Sequence, residues 1–307
     1  MIKFIYSKEV LEYKKLGKPI LALESTIVAH GMPYPDNLNF AKEGEMLCRK
    51  KGVAPATIAI LNGNVHVGLD SKTLQHIAYS KNVKKVSQRE LATAITKKWD
   101  GATTVSATMG IAYKVKIPVF ATGGIGGVHR NAEKSFDISE DLTALSKTPI
   151  IVVSSGAKAI LDLPKTLEKL ETLGITTLGY NTEHFPAFYS YSSGISNIDR
   201  VKSPDEIVNI YKTKKLFGFS SATLIANPIP KKEEIKPEIV NKIIDRGILE
   251  AGKNCISGKK TTPFLLQYIS EKTKGASLKA NKSLALNNIK LGIKISKKLS
   301  RLDKKSI

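Results

Sequence analysis

The amino-acid sequence predicts an α/β fold: a single domain over residues 1–307, with helices layered on both sides of a largely buried mixed sheet. Three observations lead there. Short apolar runs rich in β-branched residues alternate with helical patterns from one end of the chain to the other, which is how a sheet covered by helices is written. A chain of 307 residues can bury a large core. No internal repeat or low-complexity linker divides it, and 42% hydrophobic with 24% charged residues is the ordinary balance of a globular protein.

Taken in order, Pro19–Leu23 reads as the first strand. Asp36 offers a cap for a helix over about 37–51, which Gly52 stops. Strands are expected at Thr57–Ile60, Thr103–Val105, Val119–Ala121, Ile150–Val153 and Thr176–Leu178. Residues 181–200, rich in serine, tyrosine and turn formers, read as a long loop or lid. Pro237 suits the first turn of a helix whose Val240, Ile243 and Ile244 share a face. Thr262-Pro263 starts another helix, which Gly275 ends. In the last helix, about 281–300, Leu284, Leu291, Ile295 and Leu299 fall at helical spacing, so it packs on the body, and the tail beyond residue 300 is expected to fray.

The net charge of +21 raises the question of nucleic acid, but only six of the 48 basic residues are arginine. Arginine supplies the bidentate contacts of specific recognition, so a lysine excess spread along the chain argues for a solvated surface and no specific nucleic-acid partner. A noncatalytic RNA-binding module would also interleave a basic stripe with stacking aromatics, a pattern that is absent from the sequence. No apolar run is long enough for a membrane span or a signal peptide. Two isolated cysteines, Cys48 and Cys255, fit a reducing compartment, so a cytoplasmic location is expected.

The most informative stretch runs from Val119-Phe-Ala121 into Thr122, then Gly123, Gly124, Gly126 and Gly127, then His129 and Arg130. Glycines so dense let backbone amides approach an anion such as phosphate. Shortly after, Asp137, Ser139, Glu140 and Asp141 offer hard oxygen ligands for a metal or for sugar hydroxyls. Neither the dinucleotide fingerprint nor the ATP-type loop is matched, and a plain turn remains open. Glu24 closes an apolar strand, where desolvation raises a carboxyl pKa and makes a proton donor; capping through Ser25 and Thr26 is the other reading. Lys85 ends the run Val83–Val86 and either reaches an anion or stays solvated. Lys158 follows the strand Ile150–Val153 and a Ser-Ser-Gly turn. There it is either an imine-forming amine, which a lyase acting on another sugar phosphate would share, or an exposed lysine in a first helical turn. The five histidines have no compact ligand spacing, so zinc is not expected, although Asp137 could hold a hydrated divalent ion.

Several long segments, in order, resemble the pseudouridine-5′-phosphate glycosidases, also called the indigoidine synthase A-like family. They include Ala22–Ile27, His30–Pro35, Val53–Ile60, Gly101–Val105, Phe120–Arg130, Phe136–Ser139, Ser155–Asp162, Ala226–Pro230, Thr262–Leu266 and Ser277–Asn281. The resemblance spans about residues 18–300. It implies cleavage of the C–C glycosidic bond of pseudouridine 5′-phosphate to uracil and ribose 5-phosphate. It further implies Glu24 as proton donor, Lys158 as nucleophile, and substrate contacts at Lys85, Val105 and Ser139–Asp141. Asp137 would hold a divalent metal, typically Mn²⁺, and the chain would form a homotrimer. Thr122, His129 and Asn281 lie in matching motifs and join the expected site. The middle position of Ser139-Glu140-Asp141 is commonly small in the family and is glutamate here, which leaves a backbone contact as what carries over.

Overall fold

The computed structural model describes residues 2–196, 198–256 and 261–305, apart from the side chains of 303–305. The strands are β1 Phe4–Tyr6, β2 Ile20–Glu24, β3 Ala54–Leu61, β4 Asn64–Val67, β5 Lys84–Val86, β6 Gly101–Thr103, β7 Val119–Ala121, β8 Ile151–Ser154, β9 Thr176–Tyr180, β10 Asp199–Val201 and β11 Thr223–Ala226. The helices are α1 Lys8–Lys15, α2 Thr26–His30, α3 Asp36–Lys50, α4 Ser71–Tyr79, α5 Leu91–Thr96, α6 Val105–Lys114, α7 Ala132–Ser135, α8 Glu140–Lys147, α9 Leu163–Thr172, α10 Pro204–Leu216, α11 Pro237–Lys253, α12 Thr261–Lys272 and α13 Ala276–Lys305.

The eleven strands among the described residues form one sheet, ordered β1-β4-β3-β2-β7-β8-β11-β9-β10, with β6 beside β3 and β5 beside β6. It is mixed, as expected: β3 runs antiparallel to β4 and β6, and the other pairs are parallel. Helices cover both faces, α6 with α8 on one and α3, α10 and α13 on the other. Double coverage explains why every residue of β8 and β11 is buried, which a one-sided sheet would not allow.

Most predicted elements appear within a residue or two, and the exceptions have local causes. The strand expected over Thr103–Val105 stops at Thr103, and Val105 instead opens α6. Asp36 is the first residue of α3, with Pro35 at the cap. Gly52 takes the left-handed conformation (φ 69°) that stops the helix as expected. α13 begins at Ala276, five residues early, and continues to Lys305 where fraying was expected; Leu299 is buried and the Ser300 hydroxyl donates to Gly17 O (2.8 Å). Residues 306 and 307 of that expected tail lie outside the described residues. The 181–200 segment is irregular, as predicted, but it is not a loose lid. Phe185, Phe188 and Tyr189 are buried within it, and the Ser190 hydroxyl ties it to Ile235 O (2.6 Å).

One buried lysine lines none of the cavities around Glu24. Lys214, in the last turn of α10, donates to Ala222 O (2.8 Å) and Ser221 Oγ (3.2 Å), and burial lowers its pKa to about 8. An unfolded chain keeps that proton until about 10.5. Between those values the unfolded state binds more protons, so stability must rise with pH. Urea unfolding of wild type and Lys214→Met at pH 7 and pH 10 is expected to show that rise only in the wild type, relative to the variant.

Candidate active site

The chain goes from β2 to β3 on one side of the sheet and later returns to place β7 on the other side of β2. Such a reversal of strand order opens a crevice at the carboxyl ends of the two strands, the usual ligand site of an open α/β sheet. Glu24, the last residue of β2, and Thr122, the residue after β7, meet there: the Thr122 hydroxyl donates to Glu24 Oε1. Antiparallel β6 returns toward the same point, where the Thr103 N–H donates to Ser25 Oγ (2.9 Å) and both hydroxyls reach Ile58 O. The cap role weighed for Ser25 is absent; it makes no side-chain capping bond and ties β2 to β6 instead.

Glu24 is only 6% exposed. Burial pushes its pKa above the ordinary carboxylate value, against the opposing pull of the Lys158 ammonium, the Thr122 hydrogen bond and Lys85. A carboxyl whose pKa is raised in this way is better suited to donate a proton than a solvated one.

Lys158 is not in a helix. It lies between β8 and α9, where Ile125 N–H donates to Gly156 O and Lys158 N–H to Ile125 O, both at 3.0 Å. This short ladder stitches the lysine turn to the glycine loop and holds the half-buried lysine opposite Glu24.

The glycine loop itself corrects an expectation. Its amides at Ile125, Gly126, Val128 and His129 are satisfied internally, by Gly156 O, Asp141 Oδ2, Thr166 Oγ1 and Asp137 O, so those four are not offered to a phosphate, while Gly123 and Gly124 line the inner pocket. The glycines are there for close packing. A Cβ on Gly124 would lie 2.6 Å from the Phe188 ring, and one on Gly126 would collide with Ser139 Oγ. Asp141, expected at the substrate, uses both carboxylate oxygens on the backbone: Oδ1 accepts from Ser106 N–H (2.9 Å) and Oδ2 from Gly126 N–H (2.8 Å). It welds the start of α6 to the loop. Val105 is buried in the core and lines neither cavity with its side chain.

Two adjoining cavities share Glu24, Lys85 and Lys158. The outer one, a cleft of about 950 Å³, also takes in His129, Asp137, Ser139, Glu140 and Asp141. Ser139 caps α8 and accepts from Asp141 N–H (3.2 Å), and Glu140 Oε2 is buried there without a partner, so its side chain does belong to the cleft. His129 Nδ1 lies 3.8 Å from Asp137 Oδ2, and burial, opposed by Asp137, lowers the histidine pKa. The inner pocket adds Asn281, Phe188 and His30. Asn281 Oδ1 and His30 Nε2 are both buried without partners, a cost that a polar ligand would remove. Nearly all the expected residues therefore converge, with Thr122 acting through Glu24.

A family model described as indigoidine synthase A like protein matches residues 9–298. A protein of Petrotoga mobilis is 50% identical over 295 residues, 96% of either chain, and one of Staphylococcus aureus is 46% identical over 97% of each. The chain belongs to the indigoidine synthase A-like family. Both relatives are named pseudouridine-5′-phosphate glycosidase. An indigoidine synthase A-like protein of Thermotoga maritima superposes with a TM-score of 0.90 at 34% identity, covering 98% of this chain and 97% of that one. The prealnumycin C-glycosynthase, solved with ribulose 5-phosphate, gives 0.91 at 31% identity and 99% coverage of both.

For this indigoidine synthase A-like chain, sequence reasoning singled out neither His30 nor Phe188 as site residues. His30 lay inside a motif that carried the resemblance, so a signal existed. Phe188 sits in the 181–200 segment at φ 60°, unusual for a bulky residue, and nothing in the sequence announces that conformation.

Among the described residues, no three His, Cys, Asp or Glu side chains gather closely enough to cage a metal, and no helix is long and apolar enough to cross a membrane. A hydrated hard cation, which keeps several waters and borrows substrate phosphate oxygens, needs only a carboxylate such as Asp137. The donor set fits that kind of ion alone.

Proposed function

We propose that the chain reversibly cleaves the C–C glycosidic bond of pseudouridine 5′-phosphate, giving uracil and ribose 5-phosphate, in pseudouridine catabolism. The observation that carries this reading is the placement of a buried carboxyl with a raised pKa and a half-buried lysine on one pocket beside a large cleft lined by both basic and acidic side chains. The relatives' names and the sugar-phosphate ligand of the C-glycosynthase support it.

A carbon leaving group is hard to expel, because uracil C5 must accept a proton as the bond breaks. Ordinary glycosidases, with two carboxylates, expel heteroatoms through an oxocarbenium-like state. Here Glu24 protonates the ribose ring oxygen and the C1′–O4′ bond breaks, leaving a hydroxyl on C4′. The Lys158 amine adds to C1′ and loses a proton. Protonation of uracil C5 then breaks the C1′–C5 bond, its electron pair passing to the new C–H bond, and leaves an imine between C1′ and Lys158. Water hydrolyses that imine, so one water is consumed overall and the lysine is regenerated. The inner pocket takes the base, against Asn281 and His30, and the cleft takes the phosphate near Lys85 and Ser139. Binding energy from that remote phosphate orients the reacting carbon.

In the same reading Asp137 holds one Mn²⁺, which when bound supplies charge neutralisation at the phosphate. Asp137→Ala, and chelation of the wild type, are each expected to lower activity by about 10²-fold or more; full activity after both would rule the ion out. The enzyme would work in the cytoplasm as a homotrimer, which light scattering can check. The direct test of the function is uracil release from pseudouridine 5′-phosphate, with uridine 5′-phosphate as control. Equal turnover of the two, or of neither, would overturn it.

A further inference from the structure

α13 carries two buried asparagines seven residues apart, two turns along one face. Asn281 reaches the inner pocket. Asn288 lines neither cavity, yet it is fully buried and bonds to three strand exits at once. Its Nδ2 donates to Thr122 O (2.8 Å) and Gly123 O (3.2 Å), just after β7, and lies 3.1 Å from Ser155 Oγ, just after β8. Its Oδ1 accepts from Asn227 Nδ2 (2.9 Å), just after β11. Ser155 Oγ closes the set by donating to Asn227 O (3.0 Å), and neighbouring Asn287 donates to Pro228 O (3.0 Å).

Past the end of β7, Gly123 O also accepts from Ser155 N–H (2.9 Å), and Thr122 O is taken by the Asn288 amide; buried backbone groups must be satisfied somehow. An asparagine amide, with two donors and an acceptor in one plane, can serve three chain segments that no single backbone could reach. What the three segments carry gives the contact a functional meaning. Thr122 is the hydroxyl that bonds Glu24, and Ser155 opens the turn that ends at Lys158.

We infer that Asn288 is a positioning residue for the reaction: from the far side of the sheet exits it fixes Thr122 against Glu24 and holds the lysine turn across from them. The inference rests on the proposed function for its chemistry but on hydrogen bonds alone for its geometry. A displacement of about 1 Å between reacting groups can cost roughly 10²-fold in rate.

The test is a double-mutant cycle. Asn288→Ala is expected to lower kcat by about 10²-fold, with KM changing less than about threefold. In a Thr122→Val background, where the link to Glu24 is already cut, the same change is expected to cost less than about tenfold. An equal loss in both backgrounds would mean a general structural role and overturn the inference, as would a KM effect as large as the kcat effect. Ser155→Ala removes one arm of the set and shows the same kcat-only pattern at smaller size; it serves if Asn288→Ala does not fold, and wild-type kcat there would overturn the inference. Hydrogen–deuterium exchange needs no substrate, so it separates this inference from the assigned reaction. Exchange should rise in peptides covering 122–128 and 155–160 and stay unchanged elsewhere; a uniform rise, or none, counts against positioning even if pseudouridine 5′-phosphate is cleaved. A localised rise in a protein that cleaves nothing leaves the positioning intact and the reaction wrong.

Discussion

Lys158→Ala is expected to lower kcat/KM for pseudouridine 5′-phosphate by about 10³-fold or more, the scale at which removing a covalent nucleophile is felt. The lysine lines one pocket with Glu24, Gly123 and Gly124, and its own backbone bonds to Ile125 O. Position alone does not separate a nucleophile from a cation that steadies the phosphate. Lys158→Arg does, because arginine keeps the charge and cannot form the imine. Both variants are expected to be inactive, and borohydride with ribose 5-phosphate is expected to fix a pentose phosphate adduct on the wild-type residue alone. Substantial activity in the arginine variant, or an untouched Lys158 after reduction, would remove the covalent route and leave only electrostatics.

Glu24→Gln should separate activity from stability. Loss of a positioned general acid typically costs about 10²–10⁴-fold in kcat. Wild-type activity is expected to fall as pH rises through the elevated pKa of Glu24, since only the protonated form donates. Wild-type stability falls over the same rise. A carboxyl whose folded pKa is raised by burial is harmless below its unfolded value near 4.5 and becomes a burden as pH rises through the folded one. The glutamine variant keeps an oxygen for the Thr122 hydroxyl and carries no charge. It should therefore melt higher than wild type at pH 7 and at the same temperature near pH 4. A variant less stable at pH 7 would show that ionised Glu24 is well solvated and poorly suited to hold a proton.

Two features of the site show why its details were illegible in advance. The glycines were read as a phosphate cradle because glycine permits close backbone approach. What approaches Gly124, Gly126 and Gly127 is the chain's own Phe188, Ser139 and Thr166, from 13 to 64 residues away in the sequence. The family resemblance implied a substrate contact at Asp141, which lines the outer cleft. What the sequence did not show is that its carboxylate bridges Ser106 and Gly126, two amides that meet only once α6 and the loop are packed.

By itself the sequence determined the kinds of element and the chemistry available. Apolar period and punctuation by glycine and proline are local properties, so β2, β7, β8 and α3 could be placed to within a residue or two, and a carboxyl after an apolar strand or a lysine after a tight turn is visible in a few letters. Only the tertiary structure decided which of those groups face one another. β2 and β7 are almost a hundred residues apart, and their adjacency follows from the order in which strands join the sheet. Burial, and with it the proton affinity of Glu24, depends on neighbours gathered from the whole chain, and α13 reaches the sheet exits from the last tenth of it. Local sequence sets what each residue can do, and long-range packing sets the dielectric and the distances that let it act.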